Sequence, residues 1–292
     1  MKSDIQQQVP GVYHRRIGDI MVTALSDGYL DTPLASFTSI TEEEAEARLR
    51  ERFQPAPPRV SINAFVIRNG GRTAIVDTGA GDTMGKTLGL LPQSLESMQV
   101  SRSEIDTVLL THLHPDHSNG LAGKDGTALF PKAELVVSEQ DMQFRHDDSI
   151  RSRFTEIQQR RYFNDPRFQV APYADRTRHA QGEVFPGVTA VPLPGHTPGH
   201  TGYLISSGSE SLLIWGDVCH AQELQLAEPG ISVTFDVDND AAIATRRRIL
   251  AQVASDKLLV AGMHVHFPGF IHVVRNGNGY AAEPESWRHE MV

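Results

Sequence analysis

Short apolar stretches closed by turn residues dominate the early chain. Residues 20–25 run into Ser26-Asp27-Gly28, and the pattern predicts a strand that stops there. Residues 63–67 and 73–76 flank Arg68-Asn69-Gly70-Gly71-Arg72, whose Asn-Gly pair favours the positive φ angles of a tight hairpin. Between them, Thr41 precedes Glu42-Glu43-Glu44. Its hydroxyl can cap a helix while the Glu44 carboxylate reaches back. That helix must end before Pro55, in Pro55-Ala56-Pro57-Pro58. It reads as an insertion over about residues 29–60, outside the core sheet.

The pattern then becomes strand, polar turn, helix. Strands are predicted at residues 107–110, 135–137, 188–191, 203–205, 212–215 and 258–261, and a helix at 241–253, close to Asp240. Residues 140–181 differ: they are rich in arginine, dotted with Phe and Tyr, and lack alternation. They read as a helical insertion outside the sheet. No Ser- or Gly-rich linker and no short repeat divides the chain, which predicts one mixed α/β domain over residues 1–292.

Charge and composition narrow the function. The 292 residues carry 27 basic and 36 acidic side chains, a net charge of −9 that disfavours nucleic acid and anionic membranes as partners. The single cysteine, Cys219, excludes a disulfide framework and an all-cysteine zinc site. Met1-Lys2-Ser3-Asp4 and the glutamines after it lack the apolar core of a signal peptide. No apolar run approaches the roughly 18 residues of a membrane span. The expectation is a cytoplasmic protein. Thirteen histidines stand out, because histidine is both the usual proton carrier near pH 7 and the commonest metal ligand.

Their placement carries the chemistry. Thr111-His112-Leu113-His114-Pro115-Asp116-His117 follows a predicted strand. His112 and His114, two apart on extended backbone, point to one side. Asp116 and His117 follow as the chain turns toward a helix, so they diverge and can address a second metal. Gly195-His196-Thr197-Pro198-Gly199 puts a histidine in a tight turn, Trp215-Gly216-Asp217 ends a strand with a carboxylate, and Gly262-Met263-His264 ends another with an imidazole. Singly each is weak, since a lone loop histidine is more often solvated than a ligand. Together they bring imidazoles and carboxylates to strand C-termini, where open α/β sheets place their sites.

This order, with Val76-Asp77-Thr78-Gly79 before it and Gly195-His196-Thr197-Pro198-Gly199-His200-Thr201 within it, resembles the metallo-β-lactamase superfamily from about residue 22 to 280. Two later stretches, His264-Val265-His266-Phe267-Pro268-Gly269-Phe270-Ile271-His272 and Gly277-Asn278-Gly279-Tyr280, are similar to the methyl parathion hydrolase branch and related N-acyl homoserine lactonases. So is Asp236-Val237-Asp238. The resemblance implies a four-layer αββα sandwich with two divalent metal ions per chain. It assigns His112, His114 and His196 to one ion, Asp116, His117 and His264 to the other, and Asp217 to both. Mixed imidazole and carboxylate ligation suits zinc first, with iron or manganese as alternatives. Asp77 would orient a ligand histidine from behind; capping its own Thr78-Gly79 turn is the competing role. His200, His266 and His272 are left without a metal.

Two metals roughly 3.5–4 Å apart generate a bridging hydroxide near neutral pH and polarise a substrate oxygen. The resemblance therefore implies a hydrolase that opens lactones or cleaves esters, with organophosphate triesters or aryl esters as the alternative substrates. Asp217 speaks against a classical β-lactamase, and His114 against a flavodiiron oxidoreductase, which has an acidic residue there. A mononuclear iron dioxygenase of the persulfide type is the second alternative, and the complete second donor set weakens it. A metal-free binding module is disfavoured too, because unpaired carboxylates and imidazoles packed together are costly. Lactonases of this superfamily often carry a tyrosine three residues after the bridging aspartate. Here His220 stands there, either as a donor to the substrate carbonyl or as a bystander. Asp116 is either a ligand only or also a proton carrier. Phe37, Phe144, Phe154, Phe163 and Phe270 could line a pocket, but such residues are more often core. The resemblance also implies a homodimer.

Overall fold

The computed structural model describes residues 8–289, so the reading of Met1-Lys2-Ser3-Asp4 lies outside the described residues. Two seven-stranded sheets face each other, and each runs in chain order. The first comprises Val12–Ile17, Ile20–Asp31, Arg59–Asn69, Arg72–Val76, Thr107–Leu109, Glu134–Val137 and Thr177–His179. The second comprises Glu183–Phe185, Val188–Pro192, Thr201–Ser207, Glu210–Ile214, Leu259–Ala261, Phe270–Asn276 and Gly279–Pro284. Neighbours joined by tight turns pair antiparallel. Parallel pairs occur where a longer connection intervenes, as between Arg72–Val76 and Thr107–Leu109 and between Glu210–Ile214 and Leu259–Ala261. The Asn-Gly hairpin forms as expected: Asn69 pairs with Arg72, and Gly70 and Gly71 have φ of 58° and 77°.

Strands apolar on both faces are buried on both. Val22, Phe65, Val76 and Leu109 meet Tyr203, Ile205, Ile214 and Phe270 between the sheets. Leu91 and Leu95 of the Leu91–Ser97 helix cover the far side of the first sheet through Ala64, Val66 and Ile75. Ile249, Leu250 and Val253 of the Asn239–Asp256 helix cover the second through Leu213, Val260 and Ile271. The fold is the expected αββα sandwich.

Three expectations need correction. The Ile20 strand does not stop at Ser26-Asp27-Gly28 but slips register there and runs on to Asp31. Gly28, at φ 118°, absorbs the kink of a bulge, so these turn-type residues bend a strand instead of ending it. The N-terminal insertion is correspondingly narrower than 29–60, because residues 29–31 and 59–60 lie in the sheet. Its helix, Glu42–Glu51, carries the Thr41/Glu44 capping box. In the segment 140–181, the structure is helical up to Arg176, but Thr177–His179 joins the first sheet beside Glu134–Val137. A three-residue edge strand, with Arg178 paired to Glu134, is too short to show alternation. Among the described residues no helix is long and apolar enough to cross a membrane.

Candidate metal centre

The loop after Thr107–Leu109 carries the first histidines. His114 has extended angles and caps the Pro115–Ser118 helix, with Pro115 at the first helical position, where its missing N–H is harmless. The chain therefore switches from extended to helical between His114 and Asp116, and the two halves of the motif diverge.

Side chains from four loops then meet. His196 Nε2 lies 3.2 Å from His112 Nε2 and 2.9 Å from His114 Nδ1. Asp217 Oδ2 lies 3.6 Å from His112 Nε2 and 3.3 Å from His196 Nε2. On its other side the same oxygen is 3.3 Å from His117 Nε2 and 3.0 Å from His264 Nε2. Asp116 Oδ2 completes that group at 3.4 Å from His117 and 3.7 Å from His264. Two sets thus offer atoms within 4.8 Å of one another, His112/His114/His196/Asp217 and Asp116/His117/His264, and each could hold an ion.

The donor chemistry fits cations. The His117 Nδ1–H donates to Asp77 Oδ2 at 2.7 Å, the His196 Nδ1–H to Asp236 Oδ1 at 2.7 Å, and the His264 Nδ1–H to the Ser61 carbonyl at 3.0 Å. The His112 Nδ1–H donates to the Thr111 hydroxyl at 3.0 Å. With Nδ1 held in this way, each Nε2 is the ring atom turned toward the centre, where loss of its proton would free a lone pair for a cation. His117 Nε2 and Asp217 Oδ1 are buried with no hydrogen-bond partner among the described residues. Cations would satisfy these atoms together, and a ligating histidine held through its other nitrogen is the usual arrangement. Burial, aided by the neighbouring imidazoles, pushes His112 and His114 well below the usual histidine range, toward the neutral form that ligates. For His196 burial acts in the same direction, but the Asp217 and Asp236 carboxylates win and raise it to about 9.

Asp77 sits behind His117 and also accepts the Thr111 N–H and hydroxyl at 2.8 and 2.7 Å. These contacts run across to the motif loop. His220 enters the same cluster: its Nε2 is 3.1 Å from Asp217 Oδ2, and its ring stacks on His264 at 5.0 Å. Burial lowers it to about 4, so it is neutral at pH 7. Asp217, His220 and His264 form a third set that could hold an ion. His200 lies behind Asp217 and accepts its N–H at 2.8 Å, so close that a Cβ on Gly216 would come within 2.2 Å of the ring. His266 pairs with Glu223 at 2.8 Å, and His272 lies on the Phe270–Asn276 strand.

Sequence reasoning missed several supporting groups. Asp236 was visible only as part of a resemblance, and Ser61 acts through its carbonyl, which no side-chain pattern reveals. Asp141 ties two site loops together by accepting the Leu113 and Gly199 N–H groups at 3.1 and 2.8 Å. Asp116, Asp217, His220 and His264 line a cavity of about 1170 Å³. Its apolar wall includes Leu30, Val60, Ile157, Tyr162, Phe168 and Phe235, and none of the five phenylalanines weighed from sequence.

The family model of the metallo-beta-lactamase superfamily matches residues 57–264, which include all seven of the residues assigned from sequence to metal. The chain belongs to that superfamily. Solved structures extend the match over nearly the whole chain. One, described as hydrolase AbOPH in the beta lactamase superfamily, is 30% identical with a TM-score of 0.90, covering 97% of this chain and all of that one. AidC, described as a dizinc quorum-quenching lactonase, has the same fold at TM-score 0.91 and 24% identity, with the same coverage. Among curated relatives, Uncharacterized protein YobT of Bacillus subtilis (strain 168) is 27% identical over 156 residues, 51% of this chain and 58% of that protein. Beta-lactamase-like protein 2 homolog of Drosophila melanogaster is 34% identical over 74 residues, 24% of this chain and 23% of that protein. The chain thus spans little more than half of the first curated relative and about a quarter of the second.

Proposed function

We propose that this chain is a two-metal hydrolase that opens lactones or cleaves related esters of small molecules. The observation that carries this reading is the convergence of two donor sets on Asp217 Oδ2 at a cavity floor. His112, His114 and His196 would hold one ion, Asp116, His117 and His264 the other, and Asp217 both. Zinc is the proposed metal, with iron or manganese as alternatives. When bound, such ions polarise a substrate oxygen and lower the pKa of a water toward neutrality. The lactonase description of AidC, in the same fold, supports acyl substrates.

Of the two carboxylates in the donor sets, Asp116 is the more open to solvent, its side chain 14% exposed against 2% for Asp217. That carboxylate would take a proton and return it to a leaving group, besides serving as a ligand. His220, neutral and lining the cavity, would donate its one N–H to the substrate carbonyl oxygen only by turning that proton from Asp217 Oδ2. The Leu30, Val60 and Phe235 side chains would exclude water from an acyl chain.

The test is elemental analysis of the purified protein, followed by a pH-drop assay on N-acyl homoserine lactones, aryl esters and phosphotriesters. Two metals per chain and lactone or ester turnover are expected. One iron per chain with no hydrolysis would overturn the reading and favour the persulfide-type dioxygenase. Turnover of phosphotriesters alone would replace the acyl assignment.

A further inference from the structure

We propose that Arg246, on the helix behind the centre, is a positioning residue that holds the His196 imidazole and the Asp217 loop in register. The inference rests on the two-metal reading above. Arg246 is 1% exposed, yet a residue on this face of the Asn239–Asp256 helix needs only to be apolar to pack. Burying a guanidinium is unfavourable unless its donors are used. Here they are spread over three places. Nε donates to the Val218 carbonyl at 2.7 Å, the residue after Asp217. Nη1 donates to the Pro229 and Ile231 carbonyls at 3.1 and 2.7 Å. Nη2 lies 3.9 Å from Asp236 Oδ2.

All but the Pro229 contact lead to the centre. Ile231 precedes Ser232 and Val233, whose hydroxyl and N–H donate to Asp236 Oδ2 at 2.6 and 3.2 Å. The other oxygen of Asp236 takes the His196 Nδ1–H at 2.7 Å. One rigid, planar fork of five donors therefore spans the loop of Asp217 and the loop that aims His196. Asp217 Oδ2 and His196 Nε2 are left 3.3 Å apart. A lysine ammonium is a single point of donors and cannot bridge both loops. Arg246 touches neither a candidate ligand atom nor the cavity; it acts through Asp236 and Val218.

The experiment compares wild type, Arg246→Lys, Asp236→Asn and the double variant. Each is stripped of metal, reloaded with zinc and titrated against a chromophoric zinc chelator; a second loading with cobalt reports site geometry through its visible bands. Asp236→Asn should weaken the ion held by His196 by roughly ten- to a hundredfold and shift the cobalt bands of that ion alone. Arg246→Lys should weaken the same ion by a similar factor and, through the Asp217 loop, the other ion less. The double variant should fall within about threefold of the worse single, because both changes act along one chain of contacts. Melting temperatures of the metal-free proteins report folding separately, and the near-isosteric Asp236→Asn keeps the test alive if Arg246→Lys folds poorly. Unchanged binding of both ions in Asp236→Asn would overturn the inference. So would equal weakening of both ions in step with lost stability, or fully additive effects. Two tight zinc ions untouched by the variants would sink this inference alone. A wild type that binds no pair of metals would sink the functional reading, and this inference with it.

Discussion

Asp27 controls the turn that presents Asp77 to His117, and its titration gives a quantitative test. The side chain is wholly buried, and its two oxygens accept the Ala80 and Leu91 N–H groups at 2.8 Å each. Gly79 packs on it so closely that a Cβ there would lie 2.5 Å from the Asp27 carboxyl carbon. Burial pushes the Asp27 carboxyl up from 3.8 to about 6, against the pull of those N–H groups. A folded pKa above the unfolded one means that the folded state holds the proton more tightly. The stability linked to Asp27 is therefore full below the unfolded pKa of 3.8 and is lost as pH rises through about 6. At about 1.4 kcal/mol per pH unit, the difference between 3.8 and about 6 is worth about 3 kcal/mol.

Asp27→Asn removes the titration. Its one carbonyl oxygen can serve only one of the two N–H groups well, a loss of roughly 1–3 kcal/mol at every pH. Wild type should therefore be the more stable protein near about pH 4, with the gap shrinking by about 2.4 kcal/mol toward about pH 8, most of it before neutrality. Urea unfolding of both proteins with chelator present measures the gap, and titrations common to both cancel in the difference. A gap that stays constant across this range would refute the assignment of a raised carboxyl to Asp27.

Three further outcomes follow from the proposed centre. Asp217→Asn should lose metal along with activity, because one carboxylate serves both donor sets; a variant with two tightly held ions and full turnover would contradict this. Asp116→Asn at full metal occupancy should slow alkyl lactones far more than 4-nitrophenyl esters, whose leaving group needs little protonation, the proton-transfer role being worth roughly 10²–10⁴-fold; equal losses on both would leave Asp116 a ligand only. Light scattering should give about twice the 32.2 kDa of one chain, and a single-chain mass would end the expectation of a homodimer.

What was legible in the sequence depended on how local its cause was. The Thr41/Glu44 capping box and the Asn69-Gly70 hairpin are decided within a few residues, and both formed as read. The histidines and aspartates brought together at the centre were legible for a different reason: their side chains are few and chemically distinctive, and they stand just after strands. The strand Val12–Ile17 was hidden because His14, Arg15 and Arg16 break its alternation, although it pairs with Ile20–Asp31 along its full length. The Ser26-Asp27-Gly28 bulge misled because the residues that kink a strand are those that end one.

The supporting groups were hidden by distance along the chain. Asp236 reaches His196 across 40 residues and the Ser61 carbonyl reaches His264 across 203, so neither pairing leaves a local trace. The pocket wall was hidden by ambiguity, because Phe163 in the core and Phe235 at the cavity are the same residue type with opposite exposure to substrate. Ligand identity can thus be read from local chemistry, whereas ligand orientation cannot, since it is set by partners that only the closed fold delivers. That division makes Asp77, Asp236 and Arg246, all outside the seven-residue donor set, positions where this centre can be tuned without changing a ligand.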